Sequence, residues 1–192
     1  MKISIIIPAY NEEQYLARTL TSIKELDRDG HNVEILVLNA SSTDDTPQIA
    51  RKYGARVLRI ARKSIGFARQ QGIKHARGDI ILYTDADTIL PKDWITRHVT
   101  TLQKPGVVCS CGGFRLTDGS FPFFHFANYL QPPLLYLCYL LFYIPFATGQ
   151  NMAFWKKKAI EVGGFDENIA VMEDSDLAIR MRKVGKVIYA PN

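Results

Sequence analysis

The chain has 192 residues, 47% of them hydrophobic and 22% charged, which suits one globular domain and excludes a disordered chain. Its formal net charge of +5 favours phosphates, nucleotides or an anionic membrane surface. No basic run is interleaved with aromatics, which argues against a nucleic-acid partner.

Lys2 to Ile7 is β-branched and apolar on both faces, the pattern of a buried parallel strand, and Pro8 ends it. The run is too short for a signal-peptide core. Asn11 is expected to cap a helix carrying Tyr15, Leu16, Leu20 and Ile23 at helical spacing. Val33 to Leu38 reads as a second strand. Asp44 or Asp45 opens the next helix, with Pro47 in its first turn, where a missing N–H is harmless. Arg56 to Ile60 is a third strand, Ser64 to Ala76 a helix, Ile80 to Thr84 a fourth strand and Pro91 to Gln103 another helix. This alternation predicts a mostly parallel α/β sheet flanked by helices in a single domain, with ligands bound at the carboxyl ends of the strands.

The rhythm changes after Gly106. Val107 to Cys111 reads as a strand and Gly112-Gly113 as a tight bend. Cys109 and Cys111 alternate along that strand and share a face. With Cys138 they make no disulfide framework, and no His or Cys beside them completes a zinc site, so a reducing, cytoplasmic location is expected. From Gly119 to Trp155 there is no Asp, Glu, Lys or Arg. Pro132-Pro133 and Pro145 bracket its most apolar part, a helix of ~18 Å against the ~30 Å hydrocarbon core of a bilayer. Lys156-Lys157-Lys158 follows it, within a helix expected from Trp155 to Val162. Glu173-Asp174 opens the last helix. The chain closes on an apolar run that reads as a strand followed by a cut, so a C-terminal portion is expected to be missing.

Three oxygen-rich clusters fall after strands: Pro8-Ala9-Tyr10-Asn11-Glu12, Asn39-Ala40-Ser41-Ser42-Thr43-Asp44, and Asp85-Ala86-Asp87. A parallel sheet would gather them on one edge. Two carboxylates as close as Asp85 and Asp87 call for a shared cation. Oxygen ligands with room for water and phosphate suit Mg²⁺ or Mn²⁺, which can neutralise a diphosphate leaving group. A D-x-D alone recurs by chance. No G-x-G-x-x-G loop and no phosphate loop with Gly-Lys-Ser/Thr occurs, which argues against a dehydrogenase and an ATPase. A sugar-1-phosphate nucleotidylyltransferase would need a glycine-rich, basic loop after the first strand, and none is there.

Ile5 to Glu12 resembles the opening of the family 2 glycosyltransferases, the inverting group with the GT-A fold. Ser42-Thr43-Asp44-Asp45-Thr46, Ile65 to Gly72, Asp85-Ala86-Asp87, Gly149 to Phe154, Gly163 to Glu167 and Glu173 to Leu177 follow in that family's order. The resemblance implies that Pro8, Ala9, Tyr10 and Glu12 cradle the nucleoside of a sugar nucleotide, with Arg69 near it. It places Asp85 by the ribose or donor sugar, with Ala86 between the two acids, and Asp87 on the metal. It makes Asp174 the general base, which must be ionised and within hydrogen-bond reach of the acceptor hydroxyl. Glu173 would orient the donor sugar or tune that base, and Gly149, Gln150 and Asn151 are further candidate substrate contacts. Asn39 stands where the family usually has an aspartate that accepts from uracil N–H. Its carbonyl can still accept while its NH₂ donates, so the base stays open between uridine and guanosine.

On this reading residues 1–105 bind the nucleotide sugar, and 106–192 carry the acceptor site and the base. The acceptor is expected to be a glycan or a lipid-linked polyprenyl phosphate. The alternative is a non-catalytic sugar-nucleotide-binding or scaffold domain. Three readings stand for the uncharged aromatic segment: core and active-site wall, a homodimer interface, or peripheral membrane contact through residues 121–147 at the cytoplasmic face, where aromatics, a short apolar helix and a lysine triplet would serve.

Overall fold

The structure, a computed structural model, describes residues 1–61, 64–117, 120–142 and 147–190. The first half alternates as expected: β1 (Lys2–Ala9), α1 (Leu16–Lys24), β2 (Asn32–Asn39), α2 (Thr46–Lys52), β3 (Arg56–Arg59), α3 (Ile65–His75), β4 (Ile80–Tyr83) and α4 (Trp94–Leu102). The second half holds β5 (Val107–Gly112), α5 (Phe121–His125), a π-helical turn (Phe126–Leu130), α6 (Gln131–Phe142), β6 (Met152–Trp155), α7 (Lys156–Glu161), α8 (Glu173–Met181) and β7 (Lys186–Ala190). The strands form one seven-stranded sheet in the order β3-β2-β1-β4-β6-β5-β7. Only β6 runs against its neighbours, β4 and β5; the other pairings are parallel.

Both faces of the sheet are covered, which is why the strands read as unbroken apolar runs. Along β1, Ile5 and Ile7 enter a core with Leu16, Leu20, Ile23, Trp94, Ile95 and Val99 of α1 and α4. Ile6 points the other way, to a core with Tyr83, Phe154, Phe165, Leu177 and Met181. Ile5, Ile6 and Ile7 are fully buried, and each such side chain stabilises the fold by about 1.5–3 kcal/mol.

Asn11 does not cap a helix. It takes φ +55°, and its Oδ1 accepts from the Thr43 N–H at 2.9 Å. The helix starts instead at Leu16 after Tyr15. Asparagine tolerates the left-handed region and hydrogen-bonds locally, so the same residue type serves a loop clamp as well as a cap. The strand β6 was not expected, because Met152–Trp155 is short and sits between glycines and lysines. Pro132-Pro133 lies in the first turn of α6 rather than outside it. The absence of two N–H donors there interrupts the i→i−4 ladder, and the chain passes through a π turn just before it.

Trp94 of α4 and Asn151 before β6 lock the late strands to the early half. Trp94 Nε1–H donates to Asn151 Oδ1 at 2.8 Å, which fixes the amide orientation. His98 Nε2, also 2.8 Å from that oxygen, is therefore the protonated nitrogen, and Nδ1 accepts from Ser110 Oγ–H at 3.0 Å. Asn151 Nδ2 donates to the Gly113 carbonyl. Burial lowers the His98 pKa from 6.5 to about 4. The unfolded imidazole takes a proton that the folded one refuses, so this contribution is present above pH 6.5 and is lost as pH falls towards 4. We expect the unfolding free energy to drop by about 2 kcal/mol between pH 7 and pH 5 through this one group. Urea titrations at the two pH values check it, and His98→Gln should flatten the slope.

Candidate active site

The carboxyl ends of β1, β2 and β4 do gather the three polar clusters, and the loops are laced to one another. Asn11 N–H donates to Ser42 Oγ at 3.0 Å, Glu12 N–H to Thr46 Oγ1 at 2.8 Å and Glu13 N–H to Asp44 Oδ2 at 3.1 Å. Pairing in the sheet sets Ala9 beside Asn39. Because β6 is antiparallel, its start lies at the same edge, and Met152 pairs with Tyr83. That brings Gly149, Gln150 and Asn151 to the site.

Arg69 of α3 is the centre of the arrangement. Its side chain is 5% exposed, and its Nη1 lies 2.8 Å from Glu173 Oε1 and 3.6 Å from Asp174 Oδ2. Its Nη2 lies 3.4 Å from Asp85 Oδ1. Tyr83 Oη–H donates to the Arg69 carbonyl, and the Tyr83 and Phe165 rings flank the guanidinium. The residue expected near the nucleotide is thus held by three carboxylates drawn from two distant segments. Asp174 is tied further: Gly149 N–H donates to its Oδ2 and Ser175 N–H to its Oδ1, each at 2.6 Å. A Cβ at position 149 would lie 1.6 Å from Arg69 Nη1, so a larger residue there would displace the guanidinium from its carboxylates. The residue before α8, Met172, has φ +64°, a costly conformation for this side chain beside the Glu173-Asp174 pair.

Carboxylates outnumber cations here. Burial pushes the Asp85 carboxyl above its usual range; Arg69 opposes this, and the charges of Asp87 and Asp174 add to it. Burial also raises Glu12, with Asp87, Asp44 and Asp85 contributing. Glu173 is raised by burial against the pull of Arg69. Among the described residues no three His, Cys, Asp or Glu side chains form a ready metal cage. A hard-oxygen pair such as Asp85 and Asp87, in surplus negative charge, fits Mg²⁺ or Mn²⁺, which bind through one or two carboxylates plus phosphate and water.

Asn39 is 6% exposed, and its Oδ1 accepts from the Ser42 N–H at 2.9 Å. Its Nδ2 has no protein partner among the described residues. Asn151 holds the scaffold network described above. Pro8, Ala9 and Tyr10 line the end of β1 and its loop, with Ala9 buried and Tyr10 half-buried. Gln70, beside Arg69, was not singled out by sequence, yet its Oε1 accepts from the Phe165 N–H at 2.9 Å and fastens the segment leading to α8 onto α3. A cavity of about 680 Å³ opens at Asp87 and runs past Leu90, Trp94, Phe114 and Gln150.

The family model for glycosyl transferase family 2 matches residues 4–163. An uncharacterized glycosyltransferase of Bacillus subtilis, YfnE, is 30% identical over 119 residues, covering 59% of this chain and 30% of that protein. The 4,4'-diaponeurosporenoate glycosyltransferase of Staphylococcus aureus is 36% identical over 111 residues, covering 54% of this chain and 29% of that protein. The fold matches a mannosyltransferase of Pyrobaculum calidifontis in complex with GDP-Man and Mn²⁺, with a TM-score of 0.79 at 24% identity over 99% of this chain and 55% of that one. It also matches S. aureus TarS 1-349 in complex with UDP-GlcNAc, with a TM-score of 0.74 at 20% identity over 100% and 59%. The matched region thus spans less than a third of these two curated relatives.

Arg69→Met should destabilise the fold by about 3–5 kcal/mol, because it strands a buried Glu173 charge. Combining it with Glu173→Gln should recover part of that loss. Equal losses in the single and double variants, by denaturant titration, would show that packing rather than charge holds α8 to α3.

Proposed function

The chain belongs to glycosyl transferase family 2, and from that premise we propose that it transfers a sugar from a nucleoside diphosphate to an acceptor with inversion. The observation that carries this reading is Arg69, whose guanidinium ties Asp85 to Asp174. It links the carboxylate read as serving the donor to the carboxylate read as the base, brought together from segments far apart in sequence. Residues 1–105 supply the donor half and 106–192 the acceptor half. Asp174, oriented by two main-chain N–H groups, takes the acceptor proton as the new bond to the anomeric carbon forms and the bond to the diphosphate breaks. Asp85 and Asp87 would hold Mg²⁺ or Mn²⁺, which when bound supplies Lewis-acid neutralisation of the departing diphosphate. Two structural neighbours, one in complex with GDP-Man and Mn²⁺ and one with UDP-GlcNAc, support a nucleotide-sugar donor. They also leave the base open, as Asn39 does.

Calorimetry with UDP and GDP, each with and without Mn²⁺, tests the donor site. One nucleotide should bind tightly and only with metal. Binding should weaken as pH falls from 7.5 to 5, because Glu12 and Asp85 keep protons to higher pH than ordinary carboxylates and protons compete with the cation. Asp174→Asn should leave nucleotide binding within about twofold and lower transfer by about 10²–10⁴. Folded protein that binds neither nucleotide overturns the reading in favour of a scaffold.

The aromatic segment adds a peripheral membrane contact to the proposal. One face of α6 is wall: Tyr136 and Tyr139 pack on Tyr189 of β7, and Tyr139 Oη–H donates to the Val187 carbonyl. Elsewhere Phe121, Tyr129 and Leu141 are 76%, 67% and 63% exposed. No helix among the described residues is long and apolar enough to cross a membrane; residues 143–146 of the expected contact, with Pro145, lie outside the described residues, as do Pro191 and Asn192. The lysine triplet does not serve this face. It follows Trp155, which pairs with Ile80 at the opposite edge of the sheet, and Lys156 Nζ donates to the Ala76 carbonyl. Binding should therefore depend on apolar insertion more than on lipid charge. Phe121→Ser with Leu141→Ser should abolish sedimentation with phosphatidylcholine vesicles, while Lys157→Ala should not. A self-associating protein that ignores vesicles would assign the face to a homodimer.

A further inference from the structure

We infer that the cavity opening at Asp87 contains an anion-recognition subsite formed by Arg18, Arg115 and Arg97, and that the acceptor carries a phosphate group. This rests on the transferase reading above. Three guanidinium groups from three separate elements line one cavity: Arg18 from α1, Arg97 from α4 and Arg115 from the loop after β5. Its volume, about 680 Å³, suits a small ligand or the head of a larger one. The apolar lining is supplied by side chains such as Leu90, Trp94 and Phe114.

Asp85, Glu173 and Asp174 converge on Arg69, whereas the three arginines line the cavity together with one acid, Asp87. Arg97 is partly neutralised by Asp93, with Nε 2.7 Å from Oδ2. Among the described residues Arg18 and Arg115 have no ion-pair partner. Arg18 and Arg115, without ion pairs, leave the cavity lining with more cationic than anionic groups even with Asp87 counted, which suits an anion, and arginines match the oxygens of a phosphate in the plane of their N–H groups. The loop carrying Arg115 is also tied to the aromatic segment: Asn128 accepts from the Leu116 N–H at 2.7 Å and donates to the Leu116 carbonyl at 3.0 Å. The arginine site is thus joined to the exposed apolar face, which suits a phosphate on a lipid tail as well as one on a soluble acceptor.

The test uses the full chain saturated with Mn²⁺ and whichever of UDP or GDP binds. Two probes separate the sources of phosphate: glycerol 3-phosphate in solution, and phosphatidylcholine vesicles carrying a long-chain alkyl phosphate, with plain phosphatidylcholine vesicles as baseline. Arg18→Ala and Arg115→Ala are surface, unpaired positions, so the double variant should fold and bind nucleotide as the wild type does. We expect at least one phosphate probe to bind on top of the nucleotide and to lose about tenfold or more in affinity in the double variant. Binding of the soluble probe indicates a soluble phosphorylated acceptor; gain on alkyl-phosphate vesicles alone indicates a lipid phosphate. Equal binding in wild type and variant, binding of neither probe, or displacement of the probe by the nucleotide overturns the subsite while the donor reading stands. Failure of the nucleotide itself to bind overturns the transferase reading, and with it the acceptor role given to these arginines.

Discussion

The buried guanidinium of Arg69 is the contact on which the rest of the site depends. A lone guanidinium at 5% exposure would be intolerable, and so would Glu173 at 6% without it. Each charge is admitted to the interior by the other. Removing both should cost less than removing Arg69 alone, because paired burial contributes little net stability. What the pair does is specify position. It joins α3, which follows the third strand, to α8, which precedes the seventh, and so determines where Asp174 stands relative to Asp85. The bare backbone at Gly149 is part of the same device: its N–H holds Asp174, and the space its missing side chain leaves is filled by the guanidinium.

The antiparallel strand β6 gives this contact its geometry. A parallel β6 would begin at the far edge and carry Gly149 away from Arg69. Running backwards, it delivers residues 149–151 to the carboxyl ends of β1 and β4 and then leaves at the opposite edge, taking the lysines of α7 with it. The Trp94–Asn151–His98 network fixes the start of that strand with an amide whose bonds are all directed inward. Strand direction therefore places residues 149–151 beside Arg69 and its carboxylates at one edge and Lys156 at the other.

The first half of the fold was legible because β-branched runs alternate with amphipathic helices, although β1 runs through Pro8, where it was expected to end, to Ala9. Ser64 capping α3 and Pro47 inside α2 stand where their chemistry says they should. The second half resisted for physical reasons. Met152–Trp155 is four residues long, and periodicity needs more than that. The resemblance sets Arg69 near the nucleotide, but no spacing rule reveals that residues 85, 173 and 174 converge on it. Gln70 was passed over for the same reason. The lysine triplet, next to the aromatic segment in sequence, is set apart from it by the intervening strand β6.

Asn39 shows how a single departure acts within a preserved frame. The Ser42 N–H can only donate, so the side-chain atom facing it is Oδ1, as either oxygen of an aspartate would be. The turn that shapes the second loop is thus indifferent to the substitution. What changes is the other side-chain atom, an acceptor in an aspartate and an N–H donor here. A ligand edge that offers an N–H to this position would be left opposing another donor, while one that offers a carbonyl or a ring nitrogen would be satisfied. On the nucleotide-donor reading proposed above, an unmatched buried polar contact is costlier than a matched one is favourable, so the amide would act chiefly by excluding bases and by setting which edge the base turns towards the protein.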